Sequence, residues 1–403
     1  MPLPDLSRRT ILRAGAASAV LAGAAGPLLA QGAAPQAEGQ PLPDNLPLPD
    51  SPPRPRAADS VGFAVVGLGG YALRQMMPRF DQARRSHIAA IVSGNPAKLQ
   101  RVGDGYGIPE TARYSYDQFD AIADNPAIDA VYIVLPTGLH AEFAERAFAA
   151  GKHVLCEKPM AISSAECERM IAAGRRANRK LMIAYRCHFE PYNLKAMDLM
   201  ANGAVGDLRV IRTDQTYRMG PTDPASNWRV NAALAGGGPL EDYGLYGLQS
   251  ALYLSGELPE AVSATTFRPE GDPRFAEIFA SVATQLRFPS GAMAQLFTSY
   301  DADGSNYAQA RGTSGTLTMN PATGYGGHNM VLTGPDRQEF APGDPEVQFA
   351  AQLDHLADAI RIGSALRTPG EMGLRDIRLV EAIYAAAREG RTIALNPDAT
   401  MRS

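Results

Sequence analysis

Two residues that can carry a proton lie four positions apart, just after three consecutive glycines. Asp242 and Tyr246 follow Gly236-Gly237-Gly238 within an apolar stretch, residues 240–254, that is predicted to be helical. Because residues four apart lie on one side of a helix, both side chains face the same way. The helix dipole alone also favours a carboxylate at an N-terminus, but the pair behind a glycine loop favours a site.

A lysine at the end of a predicted buried strand, residues 153–156, is the second candidate for chemistry. It stands in the sequence Glu157-Lys158-Pro159. A lysine beside a buried strand is unfavourable unless its charge is solvated or used, and ligands of parallel sheets bind at the carboxyl ends of the strands. We therefore predict a functional Lys158; a lysine on a plain surface loop is the alternative.

The glycine turn in residues 62–80, GFAVVGLGGYALRQMMPRF, predicts a dinucleotide site. An apolar strand leads into Gly67, Gly69 and Ala72, and an amphipathic stretch at 71–80, predicted to be helical, follows. Gly67 permits a tight turn, Gly69 lets the backbone approach a pyrophosphate, and Ala72 lets the helix pack on the strand. A plain glycine-rich turn is the alternative.

The end of the second predicted strand indicates which nucleotide binds. An NAD site places a carboxylate there to hold the ribose hydroxyls, but residues 92–98 contain none. Ser93 can hydrogen-bond a 2′-phosphate, and Lys98 can neutralise it. The segment therefore predicts NADP rather than NAD, unless Lys98 only decorates a solvated helix.

Strand and helix patterns predict an α/β fold with two domains. From residue 61 to 185 they alternate, with strands at 63–66, 87–93, near 114, 129–135, 153–156 and 180–185, as in an N-terminal Rossmann doubly wound parallel sheet. From 186 to 403, strands at 208–217, 261–267, 279–288, 292–300 and within 308–319 alternate with period two. They predict a C-terminal α+β domain with a large open, mostly antiparallel sheet. Late helices at 345–362 and 373–390 could pack back on the first domain.

The N-terminus has the features of an exported protein. Residues 1–30 join Arg8-Arg9 to an uncharged apolar stretch, which is typical of a twin-arginine signal peptide cleaved near Ala30 and predicts a periplasmic location. A disordered N-terminus is the alternative. The stretch is too rich in small residues for stable membrane insertion. Residues 31–60 are rich in proline, and serve either as a linker or as an arm across a partner subunit.

The composition gives no indication of binding to nucleic acid, to a membrane surface or to a metal, and no indication of disulfide bonds. The net charge is −4, and no basic run occurs beyond the first residues, so neither nucleic acid nor a membrane surface is expected to bind. The three cysteines, Cys156, Cys167 and Cys187, do not have the pattern of a disulfide framework. No zinc-ligand spacing occurs, so no metal is predicted.

Over residues 57–395 the chain resembles the glucose–fructose oxidoreductase / inositol dehydrogenase / rhizopine-catabolism (Gfo/Idh/MocA) family, and within it the glucose–fructose oxidoreductases. The segments that carry the resemblance are AVVGLGGYAL, IVLPTGLHAEFA, GKHVLCEKPM, LMIAYRCHFEPYN, AGGGPLEDYGLYGL, QLDHLADAI and RLVEAIYAAAREGR. The resemblance implies tightly bound NADP and a hydride shuttle. One aldose, such as glucose, is oxidised to its lactone, and a second sugar (fructose to sorbitol, or another aldose) is then reduced. It also implies a homo-oligomer, dimer or tetramer, whose arm can cross between subunits.

The resemblance also implies roles for individual residues. Most relatives carry a histidine where this chain has Tyr246, which is then the acid and base acting on the sugar oxygen. Lys158 is expected to lower the pKa of Tyr246 and to hydrogen-bond the reacting oxygen, while Asp242 orients the sugar. Arg186 and His188 are expected to line the sugar pocket. The predicted cofactor-binding residues are Gly67, Leu68, Gly69, Gly70, Tyr71, Ser93, Gly94, Asn95, Lys98, Tyr116, Leu135, Pro136, Thr137, His140, Glu157, Lys158, Arg186, Trp228 and Arg229.

Two other functions stay open at this point. A sugar dehydrogenase that exchanges its NADP would need a cytoplasmic location, which the signal opposes. A non-catalytic sugar or nucleotide sensor would not need Lys158, Asp242 and Tyr246 together, and the chain carries all three.

Overall fold

The computed structural model describes residues 48–49, 57, 59–220 and 227–402. The predicted signal peptide and most of the proline-rich segment therefore lie outside the described residues. Among the described residues, none of the helices combines the length and the apolar character that a membrane crossing requires.

A parallel sheet of six strands forms the first half of the chain. Its strands are β1 (Val61–Val66), β2 (Ser86–Val92), β3 (Arg113–Tyr114), β4 (Ala130–Ile133), β5 (His153–Cys156) and β6 (Leu181–Ile183). They lie in the order β3-β2-β1-β4-β5-β6. The order reverses between β1 and β4, and ligands of doubly wound sheets bind at this switch point. The Rossmann prediction is confirmed.

Three α-helices cover this sheet: α1 (Pro96–Gly105), α2 (His140–Ala149) and α3 (Ser164–Arg176). Polar side chains define where two of them start, because Asn95 and Ser163 each accept a hydrogen bond from a backbone N–H of the first turn. The predicted helix at 71–80 is not a regular α-helix. It consists of a π-helical turn, Ala72–Met76, followed by a 3-10 turn, Met77–Asp81, because Pro78 has no N–H to continue an α-helix.

The second sheet is larger, open and mostly antiparallel, as predicted. Its strands are β7 (Leu208–Thr216), β8 (Ala261–Phe267), β9 (Ser281–Arg287), β10 (Met293–Ser299), β11 (Ser305–Gly312), β12 (Thr316–Met319), β13 (Met330–Thr333), β14 (Arg337–Phe340) and β15 (Ile393–Ala394). The order is β14-β13-β12-β11-β7-β10-β9-β8-β15, and only β7 with β10 is a parallel pair. The last three strands, β13, β14 and β15, were not predicted.

Helices α4 (Pro191–Ala201), α5 (Ala232–Ala235), α6 (Leu245–Ser255), α7 (Val347–Arg361) and α8 (Gly370–Glu389) complete the fold. A π-helical turn, Leu240–Gly244, precedes α6, which packs on β7. The late helices return to the first domain, as predicted. Asp354 of α7 accepts hydrogen bonds from the Arg84 and Arg85 backbone N–H groups, each at 2.8 Å, and α8 packs on both α3 and β8.

Candidate active site

The turn after β1 has the backbone that a dinucleotide requires. Gly67 has φ +99°, and a Cβ built on it would lie 2.4 Å from the Val134 carbonyl oxygen. No other residue type fits there without strain. Gly69 and Gly70 are exposed, and a Cβ on either would meet no atom within 4 Å. The Leu68 side chain is buried, so this residue can offer only its backbone to a nucleotide.

The loop after β2 holds the residues predicted to choose the nucleotide. The Ser93 hydroxyl accepts from the Asn95 N–H at 3.2 Å, and the Asn95 side chain accepts from the Lys98 N–H at 3.0 Å. The Tyr116 phenol is hydrogen-bonded to the Gly94 backbone, and burial raises its pKa to about 12. The Lys98 ammonium makes no recorded hydrogen bond or ion pair with a described residue, and partial burial lowers its pKa.

His140 connects the loops that follow β4 and β5. One ring nitrogen lies 2.9 Å from the Pro159 carbonyl oxygen and the other 2.8 Å from that of Leu135. The ring is almost fully buried, so it holds the loop of Leu135, Pro136 and Thr137 against that of Lys158. These contacts give His140 a structural role between the two loops, and its direct binding of the cofactor stays a prediction.

Lys158 and Asp242 form a half-buried ion pair across the two domains. The Lys158 ammonium donates to the Asp242 backbone carbonyl at 2.8 Å and to one of its carboxylate oxygens at 3.0 Å. The other carboxylate oxygen accepts from Arg229 at 3.0 Å and from the Tyr300 hydroxyl at 2.9 Å. Burial raises the pKa of Asp242, but Lys158, Arg229 and these hydrogen bonds outweigh it and hold the pKa well below its usual range. The carboxylate is therefore ionised and already has three donors.

Lys158 and Arg186 both lie against Tyr246, but they contact different parts of it. The Lys158 ammonium lies over the Tyr246 ring, 4.8 Å from its centroid, whereas the Tyr246 hydroxyl accepts from Arg186 Nε at 3.1 Å. Burial raises the pKa of Tyr246 well above its ordinary value, and Arg186 opposes that rise. The pKa of Tyr246 is thus raised rather than lowered overall, chiefly by burial, and the group hydrogen-bonded to its hydroxyl is Arg186 rather than Lys158.

Two other predicted residues have partners inside the protein. The Glu157 carboxylate is buried and accepts from Tyr132 at 2.5 Å and from the Lys158 N–H at 3.2 Å. Tyr71 is also hydrogen-bonded to it, and burial raises the pKa of Glu157. His188 is buried against Gln249, with Nε2 2.7 Å from the amide oxygen. Its recorded contacts are with buried side chains of α6 and Tyr185, so it does not join the cluster around Tyr246.

Trp228 and Arg229 stand at the rim of the same cluster. They lie in a 3-10 turn, Trp228–Val230, whose start is capped by Asn227. The Arg229 guanidinium lies 4.6 Å from the centre of the Trp228 ring while its Nε binds Asp242. Trp228 is half-buried, so it borders the cleft.

The arrangement brings Lys158, Asp242, Tyr246 and Arg186 together at the carboxyl edge of the parallel sheet. Lys158 has three N–H donors and uses two on Asp242, which leaves one for a reacting oxygen. The Tyr246 hydroxyl accepts from Arg186, which leaves its own hydrogen free to donate. This geometry suits proton transfer to or from an oxygen beside a dinucleotide.

Sequence models of a known family match both domains. The model of the Gfo/Idh/MocA oxidoreductase family with an NAD-binding Rossmann fold matches residues 61–185, and the model of that family's C-terminal domain matches residues 193–318. Together they cover more than half of the chain. The chain belongs to the Gfo/Idh/MocA family. It is therefore an oxidoreductase with a Rossmann domain for a nicotinamide dinucleotide, as the resemblance implied.

Relatives within the Gfo/Idh/MocA family act on sugars. D-xylose 1-dehydrogenase [NADP(+)] of Haloarcula marismortui is 30% identical over 344 residues, which are 83% of this chain and 93% of that protein. The aldose–aldose oxidoreductase from Caulobacter crescentus, solved with glycerol, is 48% identical with a TM-score of 0.81, covering 83% of this chain and 100% of its own. A 3-ketoreductase from Actinomadura kijaniata, solved with NADP and TDP-benzene, is 26% identical with a TM-score of 0.72, covering 81% and 98% of the two chains.

Sequence reasoning missed four residues that complete the cluster. Tyr300, at the end of β10, holds Asp242, and Gln348 at the start of α7 accepts from Arg186 at 2.7 Å. Thr323 and Gly324 accept from Arg186 through backbone carbonyls. Backbone carbonyls carry no side-chain signal, and Gln348 is far along the chain, so no spacing pattern pointed to them.

Proposed function

We propose that the protein is a periplasmic sugar oxidoreductase that retains NADP, oxidises an aldose to its lactone and reduces a second sugar in a ping-pong reaction. The observation that carries this proposal is the Lys158–Asp242 ion pair beside the Tyr246 phenol, at the edge where a Rossmann sheet presents its nicotinamide. The 48% identity with an aldose–aldose oxidoreductase supports the substrate class.

NADP is favoured by the loop after β2. Ser93, Asn95 and Lys98 lie just after the carboxyl end of β2, where a Rossmann fold binds the adenine ribose, and residues 92–98 contain no carboxylate. The Lys98 amine, which has no recorded partner among described residues, suits a 2′-phosphate. The bound nucleotide would supply a hydride acceptor and then a hydride donor.

The protein's own residues handle the proton. Tyr246 is protonated at neutral pH, since burial raises its pKa, so it can donate to a sugar carbonyl oxygen during reduction. That donation leaves a phenolate, which the Arg186 N–H stabilises and which takes the hydroxyl proton of the next aldose in the oxidation step. Lys158 places its remaining N–H on the same oxygen. Asp242 accepts three hydrogen bonds from the protein, which fix Lys158 beside it, and one acceptor site is left with which to orient the sugar.

The pairing of two half-reactions follows from the proposed location. Free nicotinamide nucleotides are scarce outside the cytoplasm, so an exported enzyme has to regenerate its cofactor with a second sugar. The relative from Caulobacter crescentus favours a second aldose over fructose as that acceptor. We also propose a homo-oligomer, with residues 31–60 reaching across a neighbouring subunit.

The test mixes the purified full chain with pairs of sugars and no added nucleotide. Glucose with fructose should give gluconolactone and sorbitol, or glucose with xylose should give gluconolactone and xylitol, at rates that dialysis leaves unchanged. If no pair of sugars gives product, the shuttle is wrong. The D-xylose 1-dehydrogenase relative favours a second candidate, a dehydrogenase that exchanges its cofactor. If the protein is such a dehydrogenase, product should form only after NADP is added.

A further inference from the structure

Arg186 is a buried cation whose charge is not balanced by a carboxylate. Only 4% of the residue is exposed. Among the residues that the structure describes, no aspartate or glutamate forms a recorded ion pair with it. A buried guanidinium needs every donor satisfied to offset its lost hydration, so the acceptors around Arg186 indicate what it is for.

Four acceptors from three distant parts of the chain surround Arg186. Nε donates to the Tyr246 hydroxyl at 3.1 Å. One terminal nitrogen donates to the Gly324 carbonyl at 2.9 Å and to the Gln348 side chain at 2.7 Å, and the other donates to the Thr323 carbonyl at 2.6 Å. All four acceptors are neutral oxygens. None of them cancels the positive charge of the guanidinium, which therefore acts on the Tyr246 phenol.

The segment that supplies two of these carbonyls also carries an aromatic ring into the site. Tyr325 lies with its ring centre 4.6 Å from the Arg186 guanidinium, the same distance as the Tyr246 ring. It lies 6.5 Å from the Tyr71 ring at the glycine turn, and 39% of it is exposed. Asn306 fixes the base of the segment by accepting from the Ala322 N–H at 3.0 Å and the Thr323 N–H at 2.8 Å.

We propose that Arg186 is a positioning residue that holds the Tyr246 hydroxyl in one orientation and fastens residues 323–325 to it, so that proton transfer and the shape of the sugar pocket depend on one side chain. This inference rests on the proposed function. It assigns to Arg186 the task that the sequence had assigned to Lys158. Tyr325, rather than Arg186, then lines the sugar pocket directly.

The charged groups around the Tyr246 phenol also indicate that Arg186, rather than Lys158, acts on its hydroxyl. Burial raises the pKa of Tyr246, and the neighbouring Cys187 thiol and Glu157 carboxyl act in the same direction. Arg186 is the group that opposes them, through its charge and its hydrogen bond. Tyr71 and Tyr325 are the other phenols in the cluster, and the pKa of each is raised, chiefly by burial. Lys158 also faces the Tyr246 ring, but two of its three donors go to Asp242.

The experiment is a double-mutant cycle with a structural readout. Arg186→Gln removes the charge and most of the donors, and it should slow single-turnover aldose oxidation roughly ten- to hundredfold, the effect of one hydrogen bond from a charged group. In a Tyr246→Phe background the same change should slow the remaining rate by less than about threefold, because the shared interaction is already gone. Arg378→Gln, which removes an arginine that pairs with Glu168 and Asp398 outside this cluster, serves as the control and should show no such coupling to Tyr246.

The second readout does not need turnover. Amide hydrogen exchange of residues 320–329 should be roughly tenfold faster in Arg186→Gln, while exchange within α8 stays unchanged. Equal losses in both backgrounds, or unchanged exchange of 320–329, would overturn the inference. If Arg186→Gln does not fold, Arg186→Lys, which keeps the charge but loses the planar fork, decides by the same two comparisons. If the unaltered protein oxidises no aldose, the proposed function fails, and the exchange experiment alone decides the role of Arg186.

Discussion

Two cations with separate partners define the site at the scale of single residues. Lys158 binds the carboxylate of Asp242, and Arg186 binds the phenol of Tyr246. The sequence indicated that Lys158, Asp242 and Tyr246 belong together, because a lysine ended a buried strand and the other two lay one helical turn apart. It could not indicate which cation reaches which oxygen, because a difference of a few ångströms in loop position decides that.

Replacing Tyr246 tests its role in proton transfer. Tyr246→Phe should lower turnover by roughly 10²–10⁴, the usual contribution of acid–base help, because the ring keeps its packing but loses the hydroxyl. Nucleotide retention should not change, since the glycine turn is untouched. Single-turnover rates and the absorbance of bound nucleotide measure both.

Tyr243→Phe is the matched control for that substitution. Tyr243 stacks on Tyr217 with ring centres 5.8 Å apart, three residues before Tyr246. Its phenol makes no recorded hydrogen bond to Lys158 or Arg186, so turnover should stay within about threefold of the unaltered protein. If Tyr243→Phe lowers turnover as much as Tyr246→Phe does, both tyrosines affect turnover only through their packing.

At the scale of elements, the sequence predicts the strands that have a strong apolar pattern and misses those that have a weak one. The predicted strands of both sheets agree with the structure to within a few residues, since their buried positions are apolar and β-branched. Strand β14, Arg337–Phe340, is exposed except at its last residue, and β15 has two residues, so neither carries an apolar alternation. The turn after β1 had the right glycines, but Pro78 replaced the expected helix with π and 3-10 turns.

Two glycines of that turn should respond differently to alanine. Gly67→Ala should lower the free energy of unfolding by about 2 kcal/mol or more, because it places a Cβ 2.4 Å from the Val134 carbonyl oxygen at a φ of +99°. Gly69→Ala should change stability by less than about 1 kcal/mol, since its Cβ meets no protein atom within 4 Å. It should nevertheless weaken nucleotide retention about tenfold or more, because the backbone there approaches the pyrophosphate.

Urea denaturation and dialysis of the loaded protein measure these two effects separately. If Gly69→Ala leaves the nucleotide affinity unaltered, the pyrophosphate does not bind close to the backbone at Gly69. Equal stability losses in the two variants would contradict the local geometry of Gly67.

At the scale of the whole molecule, contacts between distant parts of the chain join the two domains. Glu241, next to Asp242, is buried and accepts from the Gly237 N–H at 2.6 Å and from Tyr384 of α8 at 2.7 Å. Burial raises the pKa of Glu241 to about 7, against the lowering effect of these hydrogen bonds. Helix α8 also packs on the first domain, so a single carboxyl connects the site, the second sheet and the Rossmann domain.

Stability should therefore fall as the pH rises through the range in which Glu241 ionises. The pKa is higher in the folded state, so the folded protein binds the proton more tightly. The contribution is fully present below the ordinary pKa of a glutamate and is lost by about pH 7. Relative to Glu241→Gln, which cannot ionise, the unaltered protein should lose on the order of 3 kcal/mol of unfolding free energy between pH 4.5 and 8. Urea denaturation of both proteins across this range tests it, and parallel curves would contradict it.

The acceptors of Arg186 have a consequence for biosynthesis. Thr323, Gly324 and Gln348 are translated long after the glycine turn and after Tyr246 itself. While a ribosome still holds these residues, three of the four acceptors that hold Arg186 beside the Tyr246 phenol are missing. A truncated translation product that ends before residue 323 would lack all of these acceptors, so Arg186 would no longer be held beside Tyr246 by them.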